Sequence, residues 1–250
     1  MRVTQGPVST AAQELPLRRR IADLRSEFGL SGVAAIAWSR LWMPLAGVPL
    51  LGRLAVRLAA ATCSPFYGRH RLARYHRRGF VAPGARISHR DLRRGRNVFV
   101  GDDVVIFRDT GGGPVVLGDR VHLNEGVRIV TAHGGSVWFG DDAHVQPGCY
   151  FVAVEQSIRI GRNAQIAPNC AFYPYEHGTD PGLPINEQPL RSKGDIEIAD
   201  DAWLGYGVIV LSGVSIGAGA VVGAGSVVTR SIPPGVVAVG SPARIVRDRG

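Results

Sequence analysis

A histidine in a long polar segment is the strongest candidate in this sequence for acid–base chemistry. His177 stands in the stretch YPYEHGTDPGLPINEQPLRSKGD at 173–195, with the acids Glu176 and Asp180 close to it in sequence. Histidine titrates near neutral pH and can take the proton of a hydroxyl group as its oxygen attacks a carbonyl carbon. A neighbouring carboxylate would fix the tautomer of the ring and stabilise the imidazolium. The segment therefore predicts a general base, provided that the fold holds a carboxylate beside it.

The sequence gives less support to a metal site or a nucleotide-binding loop than to a histidine base. The three cysteines, Cys63, Cys149 and Cys170, lie far apart without a CxxC spacing, which predicts neither a zinc site nor a disulfide framework. The glycine run GAGAVVGAG at 217–225 has no P-loop pattern and does not open a helix after a strand, as a nucleotide cradle would. We expect no metal in the site.

An internal repeat dominates the second half of the chain. An aliphatic residue recurs at every sixth position: Ile198, Leu204, Val210, Ile216, Val222 and Val228. Four residues after most of these stands a small or β-branched residue: Ala202, Val208, Val214, Ala220 and Ser226. The frame continues upstream through Ile160, Phe139 and Leu117, and a first coil is predicted at Val100 and Ile106. A six-residue step fits a triangular coil of three short strands, with the aliphatic residues and the cysteines at 149 and 170 inside.

The places where the repeat fails point to one edge of the solenoid. Three six-residue repeats, or hexads, predict a coil of 18 residues, which is the spacing from Ile198 to Ile216. The three preceding coils are longer. The extra residues all follow the third hexad, in three segments: 131–135, 153–156 and 173–195. Insertions in repeat proteins collect on one face, often the binding face. We therefore expect His133, Glu155 and His177 on one edge in successive coils, with Glu176 and Asp180 as alternatives to Glu155 for orienting the ring.

From about Ile160 to Arg247 the chain resembles the hexapeptide-repeat O-acetyltransferases that act on sugars, including galactoside, maltose and envelope-polysaccharide acetyltransferases. The resemblance rests on IGRNAQIAPN, the histidine in YEHGTD, PINEQPLRSKGDIEI, DDAWLGYGVIVLSGVSIGAGAVVGAGSVVTR and IPPGVVAVGSPARIV. It implies an all-β, left-handed parallel β-helix solenoid, with His177 as the catalytic base and Glu155 in the acceptor pocket. Pro147 stands where the sugar acetyltransferases carry an asparagine, which implies a different recognition of the acceptor.

The resemblance also implies acetyl-CoA or another acyl-CoA as the donor. It places Trp203 and Tyr206 beside the pantetheine arm, although Tyr206 stands where a small residue is common. It assigns contacts along the arm and to the adenosine phosphates to six further residues: Ala224, Gly225, Thr229, Arg230, Arg244 and Arg247. The family assembles as homotrimers with CoA between neighbouring solenoids, so that His177 of one subunit would face the donor-binding coils of the next.

The implied reaction is direct transfer of an acetyl or other short acyl group to a hydroxyl of a sugar, glycan, glycolipid or glycosylated natural product. No activated serine or cysteine is evident, which favours a ternary complex over an acyl-enzyme. One alternative is acylation of an amino-sugar or an antibiotic. A second, of another class, is a non-catalytic hexapeptide scaffold. A γ-class carbonic anhydrase would need two metal-binding histidines five residues apart, and the coils carry no such pair.

Charge divides the chain into two unequal parts. Residues 1–80 hold thirteen arginines and three acidic residues, a balance of +10, whereas 81–250 hold sixteen basic and seventeen acidic residues, a balance of −1. We predict a basic, mostly α-helical N-terminal extension at 1–80 and a β-helix acyltransferase domain at 81–232 with the loop 173–195. Residues 233–250 are predicted as a C-terminal tail.

The extension itself predicts helices rather than a membrane span. Four apolar residues have helical spacing: Leu17, Ile21, Leu24 and Phe28. Arg40 and Pro44 interrupt the apolar run at 28–52, which favours two short helices over one spanning helix. These helices are expected to pack against the solenoid or partner subunits, with contact to an anionic membrane surface as the alternative. Nucleic-acid binding is disfavoured because no recognised module accompanies the charge. The first residues lack the apolar region of a secretory signal, which predicts a cytoplasmic protein, with the inner face of the membrane as its alternative place.

Overall fold

The computed structural model describes residues 17–49, 51–64 and 67–250. The chain begins there with a helix, α1 (Leu17–Trp42), in which Gly29 alone has non-helical backbone angles. The helix predicted from the apolar spacing is thus present. The face that its side chains at 17–28 would form, and the part of the predicted extension at 1–16, lie outside the described residues.

The rest of the extension consists of short helical segments. A 3₁₀ turn at Met43–Gly47 follows α1, then come α2 (Gly52–Ala61), α3 (Tyr67–His70) and a second 3₁₀ turn at Arg71–Tyr75. The predicted break near Pro44 is confirmed, because proline stands in the first turn after α1 ends and cannot continue the hydrogen-bond ladder. In the described part of the chain, no helix has the length and apolar character needed to cross a bilayer.

Three sheets of mainly parallel strands form the solenoid, and we call them faces A, B and C. Face A contains β1 (Phe80–Val81), β4 (Phe99–Val100), β7 (His122–Leu123), β10 (His144–Val145), β13 (Gln165–Ile166), β18 (Trp203–Leu204), β21 (Val221–Val222), β23 (Val236–Val239) and β24 (Arg244–Asp248). Face B contains β2 (Arg86–Ser88), β5 (Val105–Arg108), β8 (Arg128–Ala132), β11 (Tyr150–Val154), β14 (Ala171–Tyr173), β19 (Ile209–Leu211) and β22 (Val227–Val228). Face C contains β3 (Leu92–Arg94), β6 (Val115–Leu117), β9 (Val137–Phe139), β12 (Ile158–Ile160), β17 (Ile196–Ile198) and β20 (Ser215–Ile216). A separate hairpin joins β15 (Glu176–His177) to β16 (Leu190–Arg191). The predicted parallel β-helix with a helical extension is confirmed.

The six-residue repeat forms the core as predicted. Each inward aliphatic residue lies in register with its counterpart one coil away, as Leu204 does with Ile166 and Val222. These positions are buried, and so are the small residues four places later. Cys149 and Cys170 are fully buried, and each thiol donates to a backbone carbonyl at 3.2 Å, which confirms them as core residues. Burying such stacks at roughly 25 cal/mol per Å² of apolar surface stabilises the solenoid.

The solenoid begins one coil earlier than the repeat predicted. Its first coil is formed by β1, β2 and β3, rather than by the strands at Val100 and Ile106. Register places Val81, Ile87 and Arg94 at the inward positions of this coil, below Val100, Ile106 and Leu117. The hexad frame was missed because a charged arginine occupies one of these positions, and because Ile87 is partly exposed at the open base.

The helical extension packs on the lower half of face A. A second apolar cluster joins Met43, Ala59 and Leu72 of the extension to the outward side chains of Phe80 and Phe99. An ion pair between Arg69 and Asp102 crosses the same boundary. Of the two predicted locations for the extension, packing against its own solenoid is therefore present.

This packing covers two histidines that the repeat places at outward positions of face A. His122 is buried and stacks on the half-buried His144, with 4.3 Å between ring centroids, while His70 of the extension lies 4.7 Å from His122. Burial, followed by the two neighbouring imidazoles, lowers the pKa of His122 from 6.5 to about 3. His122 is thus a neutral ring within the boundary between extension and solenoid.

The C-terminal segment closes the upper end of face A. β23 pairs with β21 in parallel, and β24 turns back to pair with β23 in antiparallel fashion. The residues at 233–250, expected as a tail, therefore include two strands, and Arg244 and Arg247 both lie on β24.

Candidate active site

The predicted edge exists at the corner between faces B and C. β8, β11 and β14 lie side by side in consecutive coils, and Val154 at the end of β11 is in register with Ala132 at the end of β8. His133 and Glu155 follow these two residues directly, and the Glu155 amide donates to the Ala132 carbonyl at 3.2 Å. The inserted residues begin slightly later than predicted, because the strands extend to 132 and 154. The next coil leaves the same corner at Pro174 to form the long loop.

His133 and Glu155 both adopt a backbone conformation that their side chains disfavour. Their φ angles are 47° and 62°, in the left-handed region. A non-glycine residue there costs roughly 1 kcal/mol or more, and the same turn conformation recurs at other corners of the solenoid, as at Arg120, Asp142 and Asp201. Glu155 is exposed, so this carboxylate projects from the corner rather than into the core.

His177 lies on a two-stranded antiparallel hairpin in the loop that leaves this corner. In the hairpin, His177 faces Leu190 and Glu176 faces Arg191 across the two antiparallel strands. The buried Gln188 accepts from the Asp180 amide at 2.8 Å and donates to its carbonyl at 3.1 Å, which ties the loop together. The imidazole itself is exposed. Within the described residues, no side chain is hydrogen-bonded to it.

The hairpin geometry separates the three acids that could orient His177. The carboxylate of Asp180 is paired with the guanidinium of Arg191. Glu176 precedes His177 in the same strand, and successive side chains of a strand point to opposite faces. Asp180 is therefore already paired, and Glu176 points away from the imidazole. Glu155, one coil lower at the same corner, remains the candidate for orienting His177.

The predicted donor-binding residues fall at two corners and on one face. Tyr206, Ala224 and Gly225 lie at the corner between faces A and B, where the Gly225 amide donates to the Tyr206 carbonyl at 2.8 Å. Gly225 has a φ of 67° and open space beside it, so its backbone can be approached closely. Thr229 and Arg230 lie instead at the corner between faces B and C, two coils above the root of the His177 hairpin. A single chain therefore does not bring these residues into one cavity.

An open groove of about 940 Å³ runs along the upper half of face A. Trp203 and Arg247, two of the predicted donor residues, line it, and Trp203 is 52% exposed. Arg244 lies on the same last strand, and each of these two arginines donates to a backbone carbonyl near itself in sequence. In the described chain neither forms an ion pair with a carboxylate, so both guanidiniums keep an unneutralised charge.

Sequence reasoning missed other residues of this groove. Gln165 stands in register with Trp203, one coil below it, and Arg249 lies beyond β24 with its guanidinium on the Gly219 carbonyl at 2.8 Å. Asn169 donates to the Tyr206 hydroxyl at 2.6 Å at the adjoining corner. Gln165 could have been found from the repeat, because it occupies the outward position next to an inward isoleucine, as Trp203 does next to Leu204.

A known protein family and several named proteins are similar to this chain. The family described as "Bacterial transferase hexapeptide (six repeats)" matches residues 195–230. Escherichia coli WbbJ, named as a lipopolysaccharide biosynthesis O-acetyl transferase, is 33% identical over 143 residues, which are 54% of this chain and 72% of WbbJ. The chain belongs to the hexapeptide-repeat acetyltransferase family.

Two further proteins illustrate the extent of the similarity. A Dictyostelium discoideum protein named as an acetyltransferase is 37% identical over 131 residues, 52% of this chain and 66% of that protein. Galactoside O-acetyltransferase of Escherichia coli is 33% identical over 133 residues, 44% of this chain and 62% of that enzyme. The chain thus spans less than two thirds of the length of these relatives. The solved structure of the polySia specific acetyltransferase NeuO shares the fold, with a TM-score of 0.53, 22% identity, and coverage of 66% of this chain and 82% of NeuO.

Proposed function

We propose that this protein transfers an acetyl or other short acyl group from coenzyme A to a hydroxyl of a sugar, glycan, glycolipid or glycosylated natural product. One observation carries the proposal. The exposed His177 lies on a hydrogen-bonded hairpin three residues after the chain leaves the corner at which Glu155 is exposed in the coil below. Family membership and the relatives named for O-acetyl transfer support the same reaction.

His177 acts as the general base in this proposal. Its imidazole takes the proton of the acceptor hydroxyl while the hydroxyl oxygen attacks the thioester carbonyl carbon. The tetrahedral intermediate then collapses, the carbon–sulfur bond breaks, and the imidazolium returns the proton to the leaving thiolate. Glu155 stabilises the imidazolium or binds the acceptor. No covalent enzyme intermediate is needed, since the buried thiols of Cys149 and Cys170 donate to carbonyls inside the core.

The donor lies along the upper coils in this proposal. Trp203 and Tyr206 flank the pantetheine arm, Ala224, Gly225 and Thr229 line it, and three arginines bind the phosphates of the nucleotide: Arg230, Arg244 and Arg247. Arginine suits this role because its planar guanidinium can bind a phosphate through two hydrogen bonds. We propose a homotrimer in which the donor lies between two solenoids, which would complete a site whose residues are divided between two corners of one chain.

The proposal is tested by release of the thiol from acetyl-CoA in the presence of individual acceptors. The panel pairs each sugar with the amino-sugar that replaces one hydroxyl by an amine. Thiol release with the hydroxyl acceptor, and an ester in the product, is the expected result. Transfer only to the amine would assign N-acylation instead. If calorimetry detects no CoA binding and no acceptor supports release, the chain is a scaffold and the proposal is wrong.

A further inference from the structure

Apolar side chains form an exposed stripe along the first helix. Leu30, Ala34, Ala37 and Leu41 follow each other at helical spacing and are all exposed, Leu30 by 67% and Leu41 by 64%. Exposed apolar residues continue beyond the helix into the 3₁₀ turn and α2: Leu45, Val48, Leu51 and Leu54. We call these eight residues the helical apolar face. An exposed apolar surface of this kind marks a contact with a partner or a membrane.

The orientation of this face is fixed by the other side of the same helix. Ile36 and Ser39 are buried, and the Ser39 hydroxyl lies between the Ala35 and Ala59 carbonyls at 2.8 and 3.1 Å. Met43 continues this side into the cluster that packs on face A. Because α1 already buries one side against the protein, the exposed leucines are a second apolar surface that the fold leaves uncovered.

The residues that carry and follow the helical apolar face are strongly basic. Residues 29–96 contain thirteen arginines and a single acidic residue, Asp91. Four of these arginines, Arg77, Arg78, Arg94 and Arg96, line a groove of about 650 Å³ at the base of the solenoid, which we call the basic groove. Its one acid, Asp119, is paired with Arg96 at 2.6 Å. In the described chain no carboxylate pairs with the other three.

The basic groove adjoins the helical apolar face. The Arg78 guanidinium donates to the Gly47 carbonyl at 3.4 Å, which places the groove beside the 3₁₀ turn that carries Leu45. Desolvation of its guanidinium, followed by the charge of Arg78, lowers the pKa of Arg94. Such a concentration of like charge is relieved by an anion with several oxygens.

We infer that the helical apolar face and the basic groove together dock this protein on the surface of an anionic phospholipid bilayer. The leucines enter the boundary between headgroups and acyl chains, and the arginines bind lipid phosphates. The contact is peripheral, and no helix among the described residues is long and apolar enough to cross a bilayer. This docking is separate from acyl transfer and would bring the catalytic corner to acceptors at a membrane surface.

A bilayer fits this surface better than a second copy of the chain or a nucleic acid. Where this face meets itself in a second copy, arginines would oppose arginines, and a contact with another surface of a neighbouring subunit is an outcome that light scattering tests. Nucleic acid would account for the arginines but not for the leucines, which have no role in binding phosphates. An anionic bilayer offers an apolar layer and a negative surface at the same boundary.

The test is cosedimentation of the full chain with vesicles of phosphatidylglycerol mixed with phosphatidylcholine, and with vesicles of phosphatidylcholine alone. Binding to the anionic vesicles alone, weakened by added salt, is expected. The double variant Leu30→Ser/Leu41→Ser and the double variant Arg77→Gln/Arg94→Gln should each lower the affinity by about tenfold or more. Equal binding to both vesicle types, or no binding to the anionic ones, overturns the inference.

Matched controls separate docking from damage to the fold. Leu183→Ser/Ile185→Ser removes two exposed apolar residues from the long loop, and Arg128→Gln/Arg159→Gln removes two exposed arginines from faces B and C. Both controls should bind vesicles as the wild type does. A lower oligomeric mass for Leu30→Ser/Leu41→Ser in light scattering would assign the face to a second copy. Binding of DNA that depends on Arg77 and Arg94 but not on the leucines would assign it to nucleic acid. Thiol release with a water-soluble acceptor, measured without vesicles, should be unchanged in the two docking variants and in Arg128→Gln/Arg159→Gln.

Discussion

The two halves of face A use one architecture for different purposes. In the lower half the outward residues Phe80, Phe99 and His122 are buried under the helical extension. In the upper half the outward residues Gln165 and Trp203, in the same register, are exposed and line an open groove. The backbone is the same regular ladder in both halves. The difference therefore comes only from which side chain stands at each outward position and from what covers it.

The largest expected difference between the halves is in stability. Phe99→Ala should lower the free energy of unfolding by about 3 to 5 kcal/mol, because the ring is fully buried between the extension and the solenoid. Trp203→Ala should change it by less than about 0.5 kcal/mol, because this ring is half exposed. Chemical denaturation of the two variants measures both values. Equal losses would show that both halves are covered alike.

The histidines of the lower half should make its stability depend on pH. Burial lowers the pKa values of His70, His122 and His144 in the folded chain, the nearby Arg74 also lowers them, and Asp142 opposes the effect at His122 and His144. In the unfolded chain these rings gain protons below about pH 6.5. The free energy of unfolding should therefore fall as the pH falls from about 6.5 to about 3, and this contribution should be flat above 6.5.

His122 sets the size of this effect, since its pKa falls from 6.5 to about 3. A fall of one unit corresponds to about 1.4 kcal/mol. His122→Phe would extend the aromatic row of Phe80 and Phe99 without a titrating group. Denaturation curves at a series of pH values should show a shallower slope for this variant than for the wild type. The same slope in both would show that the histidine stack is not the source.

Substitution of an outward residue in the upper half of face A should weaken binding of the acyl donor. Trp203→Ala should raise the KM for acetyl-CoA by about tenfold, since loss of an aromatic contact to a flat or apolar group costs on the order of 1 to 2 kcal/mol. The value of kcat should change little if the ring binds the donor equally in ground and transition states. Steady-state kinetics with the acceptor at saturation gives both constants. The corresponding outward substitution in the lower half, His122→Phe, should leave this KM unchanged.

The smallest expected difference concerns two ion pairs. Arg69 of the extension pairs with Asp102 of the solenoid, and both side chains are partly covered. Arg162 pairs with Asp200 on the exposed corner between faces C and A. Arg69→Ala should cost about 1 to 2 kcal/mol of stability, and Arg162→Ala about 0.5 kcal/mol or less. If Arg69→Ala costs no more than Arg162→Ala, the covered ion pair contributes little and the apolar cluster holds the extension in place.

Much of the upper half could be predicted from sequence because each inward position repeats a simple requirement. Ile166, Leu204 and Val222 must each be aliphatic to stack on the coil below, and the six-residue step follows directly. The corner of His133 and Glu155 was also predictable, because extra residues can leave a closed coil only where a strand ends.

The lower half was less predictable because its packing depends on contacts distant in sequence. Arg94 at an inward position hides the first coil from the repeat, and the burial of His122 depends on His70, which is supplied by the extension. The candidate site has the same limit. Its corner follows from the repeat, but the pairing of Asp180 with Arg191, which leaves Glu155 as the candidate acid, follows only from the fold of the hairpin.

The proposed acyl transfer depends most directly on His177 as the base. The decisive measurement is kcat/KM for acetyl transfer by His177→Asn, which keeps a polar side chain but cannot take the proton. The exposed Glu187→Ala in the same loop serves as the control. We expect a loss of about 10²- to 10⁴-fold for His177→Asn, with unchanged thermal unfolding, and no more than a twofold or threefold change for the control. Transfer by His177→Asn at nearly the wild-type rate would contradict the account.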